Sequence, residues 1–566
     1  MERLLTLFGN EKTKSRALIA FSAALLAVAL VPLLALVPFN HPVCWDDYKA
    51  LAELTKSPPR ISYGQRFSTQ FSNVLFYPPL EHFDFSTMER VLAVHRVFAL
   101  VYIALFLASF FAMMAELNRR VLKAARPLFL AIFSSALFLL LNFVELSSTL
   151  FYCLPAATGY TGGLIFLFLF LALLLRHHFC AGGAEKAACD ALLFAVTFVM
   201  SGFIEIFVLF AGFVALYLFL FAKNPRTKRR DAAYLLLFAF TLAIFASFFA
   251  ASRGMIAAKY EQKAQTQQPP AQPRTAEKAG SPAADGEPGP GAVREEPAAP
   301  AKRPGAVASL IARNAAFLAR IRPWCAYNVQ FAKQEAKKLL SPHNVPLWAL
   351  LLFLLGKTEA ARARRGPRDI LFVLFLYPVI LLMSLSGCYS GLSWFTLYAT
   401  VRNVFDIIFF LITGALLFAL VSFARRFVSA TVRISLIPSG ADITKAAGLL
   451  VIAASVCLTS FASEKYLVGT AWRNVLSGAA RRYDRTQTEN YRKILGSDEP
   501  SLTLEYPGLP KALVNFQGNY ILRDPTDGAL YASKEVPAFF GKRDLFYSYE
   551  KRLPEMDLYS QEKRTK

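Results

Sequence analysis

The chain has 566 residues, of which 55% are hydrophobic and 51 are phenylalanine. A composition this apolar excludes an ordinary soluble domain and belongs to the membrane class. The excess of 62 Lys and Arg over 39 Asp and Glu, +23 in all, does not point to a nucleic-acid partner, because the basic residues stand in short clusters between apolar runs, where they act as topology signals.

A bilayer core about 30 Å thick needs roughly 20 apolar residues per helix. The first such run, from about Ala17 to Phe39, follows EKTKSR and lacks a small-x-small cleavage site, so it reads as a retained anchor. It gives way to HPVCWDDYKAL (His41 to Leu51), which presents Trp45, Asp46, Asp47 and Tyr48 together. Adjacent Asp residues there also fit a simple helix cap. Further runs begin near His95, Pro127, Gly163, Ala191, Ala232, Val345, Ile370, Val404 and Ile443. The run from Ala191 to Lys223 would be about 50 Å long as one helix, too long for one upright crossing and short for two. Arg176 and Lys186 precede it and KNPRTKRR follows it, so both ends belong on one side. Two short helices, folded back near Gly202 and Glu205, are predicted. The fold class is an α-helical polytopic membrane protein of about eleven transmembrane helices, with the N-terminus inside and a small α/β C-terminal domain outside.

This threading divides the chain into an N-terminal transmembrane module (1–260) with a first outer loop (40–93), an insert (261–306), a C-terminal transmembrane module with juxtamembrane helices (307–463), and an extracytoplasmic domain (464–566). The insert is rich in Pro, Ala and Gly, has no aromatic residue and cannot bury enough surface to fold. AVASLIARNAAFLARI after it has the period of a helix lying on the membrane surface. The last domain opens with a charged helical stretch, SGAARRYDRTQTENYRKIL. Short alternating pieces follow: SLTLEYP, ALVNF and GNYILRD. The seven cysteines show neither zinc spacing nor a dense disulfide framework; Cys44 and Cys153 share the outer face, which leaves a bridge between them open. RHHFC (His177, His178, Cys180) reads as an interfacial helix end, since no fourth ligand lies nearby.

Several polar residues then converge on the outer side. ISYGQRFSTQFSNVLFYPP carries Arg66, Gln70 and Asn73 in the first loop. VELSSTLFYCLPAATGYTGG breaks a pair of spans with Pro155, Gly159, Gly162 and Gly163, a non-helical backbone that is tolerable where it lines a wet cavity. Glu145 and Glu205 stand within apolar runs, where an ionised carboxylate costs about 2.5–3.5 kcal/mol. Arg402 opens TVRNVFDIIFF and Arg253 ends another span. Each residue alone has a structural reading, such as an arginine snorkelling to the headgroups. Together they surround one outward-facing cavity.

An acidic pair in the first outer loop of a polytopic chain resembles the GT-C superfamily of membrane glycosyltransferases, and most closely a bacterial multi-span branch related to O-antigen glucosyltransferases. DDY (Asp46 to Tyr48), GQRFSTQFSNVLFY (Gly64 to Tyr77), ATGYTGGL, Glu205 in a helical hairpin, Arg402 opening a late span and DPTDGALYASKEVPAFFG (Asp524 to Gly541) carry the resemblance. FYCLPAATGY stands where the family has Trp-x-Thr-Gly, and ASRGMIAAKY where it has Pro-Gly-Asn; these departures leave sugar and acceptor open. The resemblance implies transfer of a sugar from a polyprenyl-phosphate carrier to an extracytoplasmic glycan or lipid at the bacterial cytoplasmic (inner) membrane. Asp47 would be general base on the acceptor hydroxyl. Asp46 would orient it, hold a divalent cation such as Mg or Mn, or bind the acceptor. Arg402, with Arg66 and Arg253 behind it, would hold the donor phosphate. Glu205 and Glu145, with Trp45, Tyr48 and Tyr160, would meet sugar or acceptor, although aromatic belts account for such rings equally well. The competing class is a transporter or flippase of lipid-linked saccharides, or a scaffold in cell-envelope assembly; it explains the acidic pair and the ordered outer domain less well.

Overall fold

The computed structural model describes residues 11–42, 48, 85–123, 127–142, 151–154, 157–180, 182–203, 205–222, 224, 229–247, positions 345, 347, 348, 350 and 351, and 467–548 apart from 509, 511, 514–520 and 524–529. Three helices among them are long and apolar enough to cross a membrane: Ile19–Phe39, Met88–Leu122 and Ala157–His178. Two shorter apolar helices, Phe207–Phe221 and Ala232–Ser247, accompany them. The insert at 261–306 and all expected spans after Val345 lie outside the described residues, a few positions at 345–351 excepted.

Helix α1 (Glu11–Leu36) closes with a short turn at Val37–Phe39 and contains Pro32. A proline has no N–H to give, so the carbonyl four residues earlier, that of Val28, loses its helical partner. The indole of Trp472 supplies the missing donor, Nε1 to Val28 O at 2.9 Å. Helix α2 (Phe85–Leu117) runs on into a wider turn at Asn118–Leu122 that carries Arg119 and Arg120. Helix α3 (Pro127–Asn142) packs on α1, where Ser22 and Ser135 share a buried hydrogen bond of 3.1 Å.

Helix α4 (Gly162–His178) follows a π turn at Ala157–Thr161. The glycine-rich stretch expected to break the spans is therefore helical over 157–163, and its glycines answer to packing. A methyl group on Gly162 would stand 2.4 Å from the Phe203 ring, and one on Gly163 2.1 Å from the Phe207 ring. Small residues of this kind let apolar helices touch. Helices α5 (Gly183–Ser201) and α6 (Glu205–Phe221) form the hairpin expected of Ala191 to Lys223, with turn residues at 202–203. Asp190 near its start and Asn224 beyond its end both reach the foot of α4, at His177 and at the Cys180 carbonyl. Helix α7 (Ala232–Ser247) follows, its first turn capped by Asp231 accepting from the Ala233 amide at 3.2 Å.

The C-terminal part begins with α8 (Leu467–Leu476), whose Val468 and Ala471 are buried and whose Trp472 meets the middle of α1. The expected boundary at 464 lies three residues before this helix, which packs beside the first apolar helix and not beyond its end. Gly478, at φ 70°, makes the turn into α9 (Ala479–Leu495). A four-stranded sheet follows, in the order β1 (Ser501–Glu505), β4 (Asp544–Ser548), β3 (Leu530–Ala532), β2 (Ile521–Arg523), with β1 parallel to β4 and the other pairs antiparallel. Leu502, Leu504, Leu545 and Tyr547 alternate inward along β1 and β4. Helix α9 covers the outer edge of β1: the Asn490 amide donates to Glu505 O at 2.8 Å and accepts from Glu505 N at 3.2 Å. The short helix α10 (Glu535–Phe539) stands between β3 and β4. Among the described residues of 467–548 helix and sheet thus occur together, with SLTLE as a strand, while Ala512 and Leu513 of ALVNF lie in a turn.

Candidate functional site at the end of the first helix

The chain leaves α1 through Asn40 and His41, both buried. Asn40 is fixed by two main-chain acceptors, Nδ2 to His95 O and to Tyr152 O, each 3.3 Å. The Tyr152 hydroxyl donates in turn to Leu33 O at 2.7 Å, satisfying a carbonyl near the helix end. These bonds gather the top of α1, a point about three turns into α2 and the approach to α4.

Onto this point comes α9. Asp484 Oδ1 lies 2.9 Å from His41 Nε2 and 2.9 Å from an Arg96 guanidinium nitrogen. The His41 ring sits between Tyr483 and Tyr491, with centroids 5.4 and 5.8 Å away. A second contact forms seven residues further on. Tyr48 is fully buried, shares a 3.0 Å hydrogen bond with the Tyr491 hydroxyl, and lies near the rings of Phe539 and Phe540. Residues separated by 443 positions thus close both ends of the segment His41–Tyr48.

Electrostatics fixes the protonation of the group. Burial alone would raise the Asp484 carboxyl, but the His41 hydrogen bond and the charges of His41 and Arg96 outweigh it and hold Asp484 below the usual carboxylate range. Burial pulls His41 below its ordinary value against the pull of Asp484. At neutral pH the imidazole is therefore neutral, donating from Nε2 to an ionised Asp484 that Arg96 balances. Burial pushes Tyr48 and Tyr547 well above the usual tyrosine range, so both keep their protons. With its ring enclosed, His41 works as a clasp and not as an exposed base.

Of the residues read from the sequence, Tyr48 is at this junction. Tyr160 is buried in the π turn before α4. Glu205 is the first residue of α6. Asp46, Asp47, Trp45, Arg66, Glu145, Arg253 and Arg402 lie outside the described residues, as does Cys44, while Cys153 is buried. Among the described residues no group of three His, Cys, Asp or Glu side chains is arranged to hold a metal. His41, Arg96, Asp484 and Tyr491 were not singled out beforehand. The one local signal was Asp484 beside Tyr483 at the edge of the buried face of α9. The opposite end of the bundle holds a second polar cluster. His177, fully buried, has Asp190 Oδ1 2.8 Å from Nδ1 and Asp231 Oδ2 3.2 Å from Nε2, neither along a ring N–H direction, and Lys186 stands 2.6 Å from Asp231. No protein-family model, curated protein or solved structure matches the chain.

Proposed function

We propose that the chain is a multi-pass membrane glycosyltransferase that moves a sugar from a polyprenyl-phosphate carrier to an extracytoplasmic glycan or lipid acceptor. The observation that carries this reading is the docking of the C-terminal domain. Asp484 and Tyr491 of α9 hold His41 and Tyr48, the two residues that bracket Asp46 and Asp47 in the chain. An enzyme has to fix its acidic loop against the domain that helps to enclose the substrates, because placing donor and acceptor in register is a large part of the rate. A tethered accessory domain has no need of buried contacts at that point.

In this reading Asp47 is the general base, Asp46 its partner, and Arg402, Arg66 and Arg253 hold the donor phosphate. Glu205, at the turn of the α5–α6 hairpin, and Glu145 meet sugar hydroxyls. Tyr48 anchors the acidic pair to the domain. The eleven-span threading, with the N-terminus cytoplasmic and the site on the outer face of a bacterial inner membrane, belongs to the same proposal. The test is purified protein in nanodiscs with a panel of polyprenyl-phosphate sugars, following carrier-dependent release or transfer. Turnover in the wild type that is lost in the nearly isosteric Asp47→Asn supports the reading. Carrier binding without turnover in either protein replaces it with a flippase or scaffold for lipid-linked saccharides.

A further inference from the structure

Helices α8 and α9 climb alongside α1. Trp472 meets Val28 and Asp484 meets His41, so residues 472 to 484 keep pace with residues 28 to 41. The level at which the apolar helix Ile19–Phe39 ends is therefore the level of the first two turns of α9. Over that short rise the exposed side chains change character. Leu476, the last residue of α8, is 70% exposed; Arg481, Arg482 and Arg485 are exposed just above it. The opposite face of α9, with Ala480, Tyr483, Gln487, Asn490, Tyr491 and Ile494, is buried.

At about 100° per residue, the three arginines fall on one stripe, continued upward by Arg492 and Lys493. Glu489 is the one carboxylate on this face among the described residues, 3.7 Å from Arg485. Asp484, beside the stripe, is already engaged by His41 and Arg96. Arg482 is held in place by Ser477 O at 2.9 Å. An apolar residue below and clustered guanidiniums above is the pattern of a helix passing through a membrane surface. Guanidiniums match phosphate oxygens in geometry as well as charge. We propose that the Arg481–Arg482–Arg485 face of α9 is a docking surface for anionic phospholipid headgroups at the membrane surface where α1 ends. The inference does not rest on the proposed reaction.

The experiment uses the full-length protein in a neutral detergent, with melting followed by tryptophan fluorescence after addition of phosphatidylglycerol, phosphatidylcholine or inorganic phosphate. Phosphatidylglycerol raises the melting temperature beyond phosphatidylcholine, and inorganic phosphate does not. R481Q/R482Q/R485Q loses most of that excess, R481K/R482K/R485K, which keeps the charge without the planar fork, retains part of it, and R492Q/K493Q, on the same stripe but about 10 Å beyond Arg485, keeps it. Equal shifts with the two lipids, an excess retained in the glutamine variant, or an equal loss in R492Q/K493Q would each overturn the proposal. A shift of the same size with inorganic phosphate assigns the face to a soluble anion and also overturns it. Should the glutamine variant not fold, the wild type decides: an excess that falls as salt rises supports headgroup pairing, and one indifferent to salt removes it.

Discussion

The two ends of the helical bundle are each closed by a buried histidine beside a carboxylate, yet they do different work. At the His177 end the partners are near in sequence: His177 on α4, Asp190 and Lys186 on α5, Asp231 before α7, with Arg176 and Glu185 3.2 Å apart at the rim. These contacts pin neighbouring helices to one another. At the His41 end, Asp484 and Tyr491 come from more than four hundred residues away and fasten the C-terminal helix α9 to the end of the first helix and to Arg96 on the second. The first arrangement shapes loops; the second decides whether the acidic segment and the C-terminal domain act as one body.

The difference can be broken at its strongest point. Asp484→Ala leaves buried His41 facing Arg96 without the carboxylate. Breaking a fully buried pair costs about 3–5 kcal/mol; with Asp484 28% and Arg96 34% exposed, solvent screening brings the expectation to about 1–3 kcal/mol. Melting should drop and the C-terminal domain should become protease-sensitive, whereas Asp190→Ala at the opposite end should leave that domain protected. Equal protease sensitivity in the two variants would erase the distinction between the ends.

Between the ends the described helices are held mostly by apolar contact, and Gly163→Ala probes it. The added methyl meets the fully buried Phe207 ring, and overpacking of this kind costs about 1–3 kcal/mol. Gly159→Ala, where no atom lies within 4 Å, should be close to neutral. If the two substitutions prove equally mild, the close approach at Gly163 is not required.

Trp472 offers a smaller and sharper cut, because it joins the tail to α1 at the Val28 carbonyl that Pro32 leaves open. Trp472→Phe should cost about 1 kcal/mol for the orphaned acceptor. In a Pro32→Ala background, where a helix N–H is restored, the same substitution should cost much less. Equal costs in both backgrounds would mean that the indole bond does not answer to the proline.

The smallest effect is that of pH. His41 is lowered from 6.5 by burial, so the stability it lends is present above 6.5 and lost as pH falls through its folded value. Asp484, held below its ordinary 3.8, loses its contribution in the same direction at still lower pH. Melting temperature should therefore decline between pH 7 and 5, and His41→Gln should flatten that decline. A wild-type profile without slope in this range would argue that the imidazole is not the titrating clasp.

These contacts explain what could be read from the residues beforehand. Helices such as 88–122 and the α5–α6 hairpin were legible because apolar length and flanking charge are local properties. So was α9, whose buried and charged faces alternate with the helical period. The pairing of His41 with Asp484 was not, because no local pattern ties two polar residues so far apart. Strand β3 fell inside a stretch read as a motif, and its three residues carry too little alternation to stand out. The glycines of 159–163 looked like breakers, but at Gly162 and Gly163 the demand comes from Phe203 and Phe207 across the interface.

The most direct test of the account is a double-mutant cycle on His41→Ala and Asp484→Ala, read as melting temperature and protease protection of the C-terminal domain. The account predicts that the second substitution costs less once the first is made, the remainder being the Arg96 pair that Asp484 also holds, with a coupling of about 0.5–3 kcal/mol. Strictly additive losses would contradict it, and would mean that the domain is not fastened to the first helix through this pair.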